Sequence, residues 1–344
     1  MQSARNGHAA RVKRRYPRQL LAMGVLGVLV VALALAAVLG PRVDVSVGGG
    51  DMDLGVPAIA DLDTYLANAE AAVPDLTPGA EKTIRWAGGP GQRTAVALVY
   101  LHGFSSSRQE SAPLMDQVAS ALGANLYYAR LRGHGRTGEA LAAASVADWQ
   151  RDAWEALAIG RQLGEQVVLV GASNGGTLAT WLATRPGAAD LAALILLSPN
   201  FGPRDPMSEI LLWPWAHVLV RWVVGPEYQW TPQNPEHARY WTWRYPSEAL
   251  LAMMGVVKLA RISAVERIQA PVLVLYAPDD QVVSAAKIER FFPRFGAADT
   301  RLLPLENTSD RQHHALAGDI LAPADTARVR ELILAFLQPR LADG

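Results

Sequence analysis

Ser173 stands in the pattern Gly171-Ala172-Ser173-Asn174-Gly175, after the apolar run Val167-Val168-Leu169-Val170 and before residues 177–181, which suit a helix. A serine with glycines two positions to either side, between a buried strand and a helix start, marks a sharp turn that lifts its hydroxyl clear of a sheet. That turn requires a strained, left-handed backbone at the serine. The glycines remove the Cβ atoms that would collide in so tight a bend. The helix start behind it leaves unpaired N–H groups facing any anion that forms beside the serine. The chemistry suggested is nucleophilic attack. A serine hydroxyl is a poor nucleophile on its own, so it needs an imidazole to take its proton and a carboxylate to orient that imidazole.

Two acid–histidine pairs follow in the chain. Asp279 and Asp280 come after a strand ending at Tyr276-Ala277-Pro278, and His313 and His314 come after a strand ending near Leu305. Asp280 is the better acid, because Asp280-Gln281-Val282-Val283 sets it directly before an apolar turn into the next helix; Asp279 then shapes the turn. His314 is the better base, because Ala315-Leu316-Ala317 after it can bury and hold the ring. An earlier strand ends in Leu101-His102-Gly103-Phe104. A loop there can aim the backbone N–H of Phe104 at a developing oxyanion, with Asn174 supplying the second N–H. His102 shapes this loop and is not the base.

These residues must be positioned by a framework, and the hydrophobic pattern supplies one. Strands are expected at 82–86, 95–101, 125–129, 167–170, 192–197, 272–276 and 300–305. Helices are expected at 113–122, 146–163, after Ser173, at 285–292 and at 325–337, with a shorter one at 61–72. Near-continuous apolar strands alternating with helices argue a mostly parallel sheet covered on both faces, an α/β architecture. The rhythm breaks between about 199 and 267, where six of the ten tryptophans and eight prolines fall. This stretch is expected to be an inserted cap over the sheet, with its tryptophans forming a small core, lining an acyl pocket or touching a membrane.

The N-terminal region reads differently. Arg5, Arg11, Lys13, Arg14, Arg15 and Arg18 precede an uncharged apolar run at 20–40, long enough to cross a bilayer as a helix. The basic cluster places residues 1–19 in the cytoplasm and everything after Pro41 outside it. A cleaved signal peptide is the competing reading, since Ala32-Leu33-Ala34 and Ala34-Leu35-Ala36 could be cut. The run continues past them to Gly40, which favours an uncleaved anchor. Residues 41–60, with Gly48-Gly49-Gly50, read as a linker, and 61–344 as the folded domain. Beyond the basic cluster the chain holds 26 basic against 32 acidic residues, which gives no reason to expect nucleic acid. There is no cysteine, so disulfides, thiolate metal sites and a cysteine nucleophile are excluded.

With Arg130-Leu131-Arg132-Gly133-His134-Gly135 added, the motifs Leu101-His102-Gly103-Phe104, Gly171-Ala172-Ser173-Asn174-Gly175-Gly176, Asp280-Gln281-Val282-Val283 and a late histidine resemble, in this order, the α/β-hydrolase superfamily. Within it the chain is similar to the branch of esterases, monoacylglycerol-lipase-like and lysophospholipase-like enzymes that also holds serine aminopeptidases. The resemblance covers about residues 80–340 and departs at Asn174, where many relatives carry Met, Gln or His. It implies a catalytic triad Ser173, Asp280, His314, an oxyanion hole from the backbones of Phe104 and Asn174, and a structural role for His134. It further implies an acyl-enzyme route with no metal or organic cofactor, acting on a small-molecule or lipid ester. An aminopeptidase would instead need a cap carboxylate for the substrate amine, with Glu209, Glu227 and Glu236 as candidates. An acyltransferase, or an inactive membrane-anchored binding protein, completes the alternatives.

Overall fold

The computed structural model describes residues 16–46 and 54–341. The basic residues at 5–15 and the glycines at 48–50 lie outside the described residues. The chain opens with α1 (Tyr16–Leu39) and, after extended chain, α2 (Leu62–Ala71). Next come β1 (Thr83–Arg85), β2 (Thr94–Leu101), α3 (Leu114–Leu122), β3 (Asn125–Tyr128), α4 (Gly138–Ala142), α5 (Val146–Leu163), β4 (Gly164–Ala172), α6 (Ser173–Ala183) and β5 (Ala193–Leu197). Then α7 (Ala216–Val223), β6 (Glu227–Gln229), α8 (Pro235–Tyr240), β7 (Arg244–Pro246) and α9 (Ala249–Ile262) precede β8 (Val272–Tyr276), α10 (Ala285–Phe291), β9 (Thr300–Pro304) and α11 (Thr326–Leu341).

Seven strands form one sheet in the order β1-β3-β2-β4-β5-β8-β9, antiparallel only between β1 and β3. The strands are apolar on both sides because both sides are covered. In β4, Val167 and Leu169 join one core while Val168 and Val170 join the other, and β8 divides its residues in the same alternating way. Helices α5, α6 and α9 pack with the first core, and α3 and α11 with the second. Each fully buried Val or Leu contributes roughly 1.5–3 kcal/mol over its exposed state, so the central strands hold the sheet regardless of local propensity.

The insertion between β5 and β8 has two characters. Its exposed, proline-broken part carries the small β6–β7 ribbon. Its last helix, α9, has Met254, Val256, Val257 and Leu259 fully buried and packs chiefly against α6. The expected linker is not free along its described length. Val43, Val45, Leu54 and Val56 pack against the first core, while Asp44 and Ser46 between them stay exposed. The alternation is that of an extended chain laid on a surface.

Helix α2 is tied down by charge as well as packing. Glu70 accepts from Arg130 Nε at 2.7 Å and Arg130 Nη2 at 2.8 Å, a buried two-pronged pair. This pair fixes the loop after β3, which also carries His134.

Candidate active site

Ser173 sits where β4 passes into α6, with φ +49°. A Cβ at Gly175 would stand 2.2 Å from the Leu101 carbonyl oxygen, and one at Gly171 would stand 2.6 Å from that of Gly175. No real Cβ tolerates such contacts, so the two glycines are required by backbone crowding around the serine. The N–H groups of the first turn of α6, Asn174 included, have no acceptor within the helix. The loop after β2 brings Phe104 alongside, and its N–H has no hydrogen-bond partner among the described residues.

His314 reaches Ser173 from the loop after β9. Its Nε2 lies 3.0 Å from Ser173 Oγ, and its Nδ1 lies 2.8 Å from Asp280 Oδ2. Asp280 is fully buried, and its other oxygen accepts from the backbone N–H groups of Val282 at 2.7 Å and Val283 at 2.9 Å. The apolar turn after Asp280 therefore supplies donors that hold the carboxylate inward. Burial alone would lower the His314 pKa, but the Asp280 carboxylate outweighs it and the net shift is upward, with Asp310 and Glu110 adding to it. The twin residues go elsewhere. Asp279 is exposed and lies 3.5 Å from His313 Nε2, while His313 has φ +53° and places its Nδ1 3.0 Å from the Thr308 hydroxyl. So Ser173, His314 and Asp280 are brought together, and Asp279 and His313 form a separate pair beside them.

His102 is buried and bridges two loops. It accepts from Leu131 N–H at Nε2, 3.1 Å, and its Nδ1 lies 2.8 Å from the Gly103 carbonyl. Burial brings its pKa down to about 4, so it stays neutral and serves as a bracket. His134 is buried beside it, edge-on to His102 and Phe104 and tilted against Trp149, and burial pushes its pKa far down as well.

Two acids in the site have no sequence signal of their own. Glu110 turns its carboxylate under the Phe104 loop, accepting from Gly103 N–H at 2.7 Å and from the Tyr100 hydroxyl at 2.9 Å. Burial raises its pKa, against the hydrogen bonds from Ser106, Gly103 and Tyr100. Asp310 accepts from the backbone N–H groups of His314 at 2.9 Å and Ala315 at 3.0 Å, which fixes the loop that carries the imidazole. The only hint in the sequence is the short Asp310–His314 spacing. The insertion completes both loops: Gln233 Nε2 donates to Asp310 at 2.8 Å, Thr242 N–H donates to the Ser105 carbonyl at 2.7 Å, and Tyr245 packs edge-on against Phe104.

The arrangement can move a proton from a hydroxyl to an imidazole held by a buried carboxylate, beside free backbone N–H groups. The same architecture recurs in solved structures. The structure reported with the metagenome-derived lipolytic enzymes LipS and LipT superposes with a TM-score of 0.62 at 22% identity, covering 77% of this chain and 99% of that one. Monoacylglycerol lipase from Paleococcus ferrophilus gives 0.55 at 21% identity, covering 76% and 99%. A soluble variant of monoglyceride lipase from Saccharomyces cerevisiae, bound to a substrate analogue, gives 0.59 at 13% identity, covering 76% and 91%. At these identities the likeness is one of fold. Curated protein sequences give no significant match. The family profile described as serine aminopeptidase, S33, matches residues 92–309, from just before β2 to the loop that leads to His314. With nearly two thirds of its length matched, this chain belongs to the serine aminopeptidase S33 family of α/β-hydrolases.

Proposed function

We propose that this protein is a membrane-anchored serine hydrolase that cleaves carboxylic esters, lipid-like or of short-to-medium acyl chain, through an acyl-enzyme. The observation that carries this reading is the unbroken chain of contacts Ser173 Oγ–His314 Nε2 and His314 Nδ1–Asp280. His314 takes the proton of Ser173 as the alkoxide attacks the ester carbonyl. The N–H groups of Phe104 and Asn174 receive the oxyanion. His314 then gives the proton to the leaving alcohol and afterwards takes one from water, which releases the acid; Asp280 holds the ring throughout. Helix α1 is the anchor: Gln19–Leu39 has a mean hydropathy of 2.8, and its apolar window is not buried in the domain. The basic segment before it puts the catalytic domain on the non-cytoplasmic side.

An aminopeptidase needs a free carboxylate for the substrate ammonium group, and two of the three cap candidates are already paired. Glu209 is engaged by Arg261 at 2.8 Å and Lys287 at 2.9 Å, hydrogen bonds that hold its pKa down to about 2. Glu227 pairs with Arg244 at 2.6 Å, and Glu236 is exposed on α8. The test is hydrolysis of p-nitrophenyl esters of increasing acyl length beside aminoacyl p-nitroanilides. A preference for the esters, with an optimum in acyl length, is expected. Faster turnover of the aminoacyl amides would overturn the ester reading.

The acid limb of the rate profile reports His314. A base must be deprotonated to act, and the upward shift means kcat/KM falls with decreasing pH from above the ordinary histidine value. Glu110→Gln removes a charge that favours the imidazolium while keeping an oxygen for Gly103 N–H. The limb is expected to move to lower pH with most of the plateau rate retained, as read from kcat/KM against pH. An unmoved limb would leave Glu110 as a brace alone.

A further inference from the structure

The proline-rich segment after β5 exposes an apolar face whose neighbour in the structure is the end of α1. Trp213 is 56% exposed, Trp222 84%, and Met207, Trp215, Val218 and Val223 are also open. On α7, Ala216 and Val220 are buried against the domain, whereas Trp215, Val218 and Trp222 stand three and four residues apart on the outer side. Trp215 is the joint. Its indole Nε1 donates to the Ala36 carbonyl at 2.8 Å, and its backbone N–H donates to that of Pro41 at 2.7 Å. A Cβ at Gly40 would stand 2.1 Å from the Trp215 ring, so only glycine lets the indole lie against this turn.

Ala36 is in the last turn of a helix whose apolar length is about 30 Å, matching the hydrocarbon core of a bilayer. A ring bonded to its carbonyl therefore lies at the membrane–water boundary, where tryptophan is favoured because its body is apolar and its N–H polar. The outer face of α7 begins at that ring and runs on for about 12 Å of helix rise. Arg42, exposed just past the anchor, carries no ion-pair partner among the described residues and lies at headgroup level. From these contacts we infer that the Trp213–Val223 face of the cap is seated in the interfacial layer of the same bilayer that α1 crosses. The cap is then held against the outer leaflet by its own side chains as well as by the tether. The inference rests on the reading of α1 as a membrane-spanning helix and is independent of the triad.

The chain has no cysteine, so single nitroxide labels report depth directly. The full chain is reconstituted in phosphatidylcholine–phosphatidylglycerol nanodiscs, with one cysteine each from Val28→Cys, Val218→Cys, Val223→Cys and Gln269→Cys. All four positions are exposed, and Gln269 lies before β8, at the sheet end opposite the cap. Relaxation by oxygen and by a water-soluble nickel complex is compared at each. Labels at 218 and 223 are expected to favour oxygen, shifting toward the value at 28, while 269 stays aqueous. If 28 lies in lipid but 218 and 223 match 269, the cap does not rest on the membrane. If 28 is itself aqueous, the anchor reading fails and this inference with it. Ester turnover measured on the same samples stands apart from either result.

Discussion

Replacing Ser173 by alanine is expected to lower kcat for p-nitrophenyl ester hydrolysis by about a million-fold, the scale seen when a triad nucleophile is removed. The fold should not change. Alanine keeps the Cβ that already occupies the φ +49° turn, so the backbone strain is common to both proteins. The hydroxyl contributes one contact, to His314 at 3.0 Å, and after its loss the imidazole keeps its partner Asp280 at 2.8 Å. Melting temperature measured alongside turnover separates the two effects, with stability expected within about 1 kcal/mol of the parent. Equal rates in the two proteins would refute the proposed nucleophile and favour a binding protein on this fold. Residual activity of about a thousand- to ten-thousandfold over the uncatalysed rate, from the oxyanion donors and binding alone, is compatible with it.

Asp280→Asn should cost about ten-thousandfold in kcat, because it reverses the imidazole tautomer. The geometry leaves the amide little choice. One oxygen of Asp280 accepts from the N–H groups of both Val282 and Val283, and a carboxamide must keep its oxygen there or bury two unpaired donors. Its NH2 group then faces His314 Nδ1, which has to accept. The ring proton is thereby driven to Nε2, against Ser173, where a base is needed and a donor is useless. Asp279→Asn is the control. Its carboxylate is exposed and near His313 only, so the same chemical change one residue away is expected to leave kcat within about twofold, as ordinary surface substitutions do. Similar losses in both variants would contradict the assignment of Asp280 as the orienting acid.

The strands and their two-faced burial were legible because the sheet is covered on both sides. A residue run such as Val167–Val170 can be apolar throughout only if nothing in it meets water. The turn at Ser173 was equally local: five residues carry the glycine spacing, and the crowding that demands it comes from the start of α6 at Gly171 and from the end of β2 at Gly175. Strand β1 was expected, but its antiparallel direction in the seven-stranded sheet was not legible, since direction depends on which neighbour a strand pairs with. Helix α9 was hidden inside a tryptophan- and proline-rich stretch, and its burial reflects where α6 lies. The outward set of the cap tryptophans is likewise a property of packing, because the same indoles could equally have closed a small core.

The amino-acid sequence by itself determined that a serine would stand on a strand–turn–helix elbow, that acids and histidines would follow on later loops, and that an apolar segment would precede them all. Those features depend on neighbours within a few residues. Only the tertiary structure decided between adjacent twins. Asp280 turns inward because the backbone of Val282 and Val283 offers it donors, and His313 turns out because its backbone is left-handed. It alone brought Glu110 under the Phe104 loop, Gln233 of the insertion onto Asp310, and Trp215 onto the end of α1. In each case the partner is fixed by how distant loops close over the sheet, and an unpaired carboxylate, amide or indole reads the same in sequence whether it meets water or a donor.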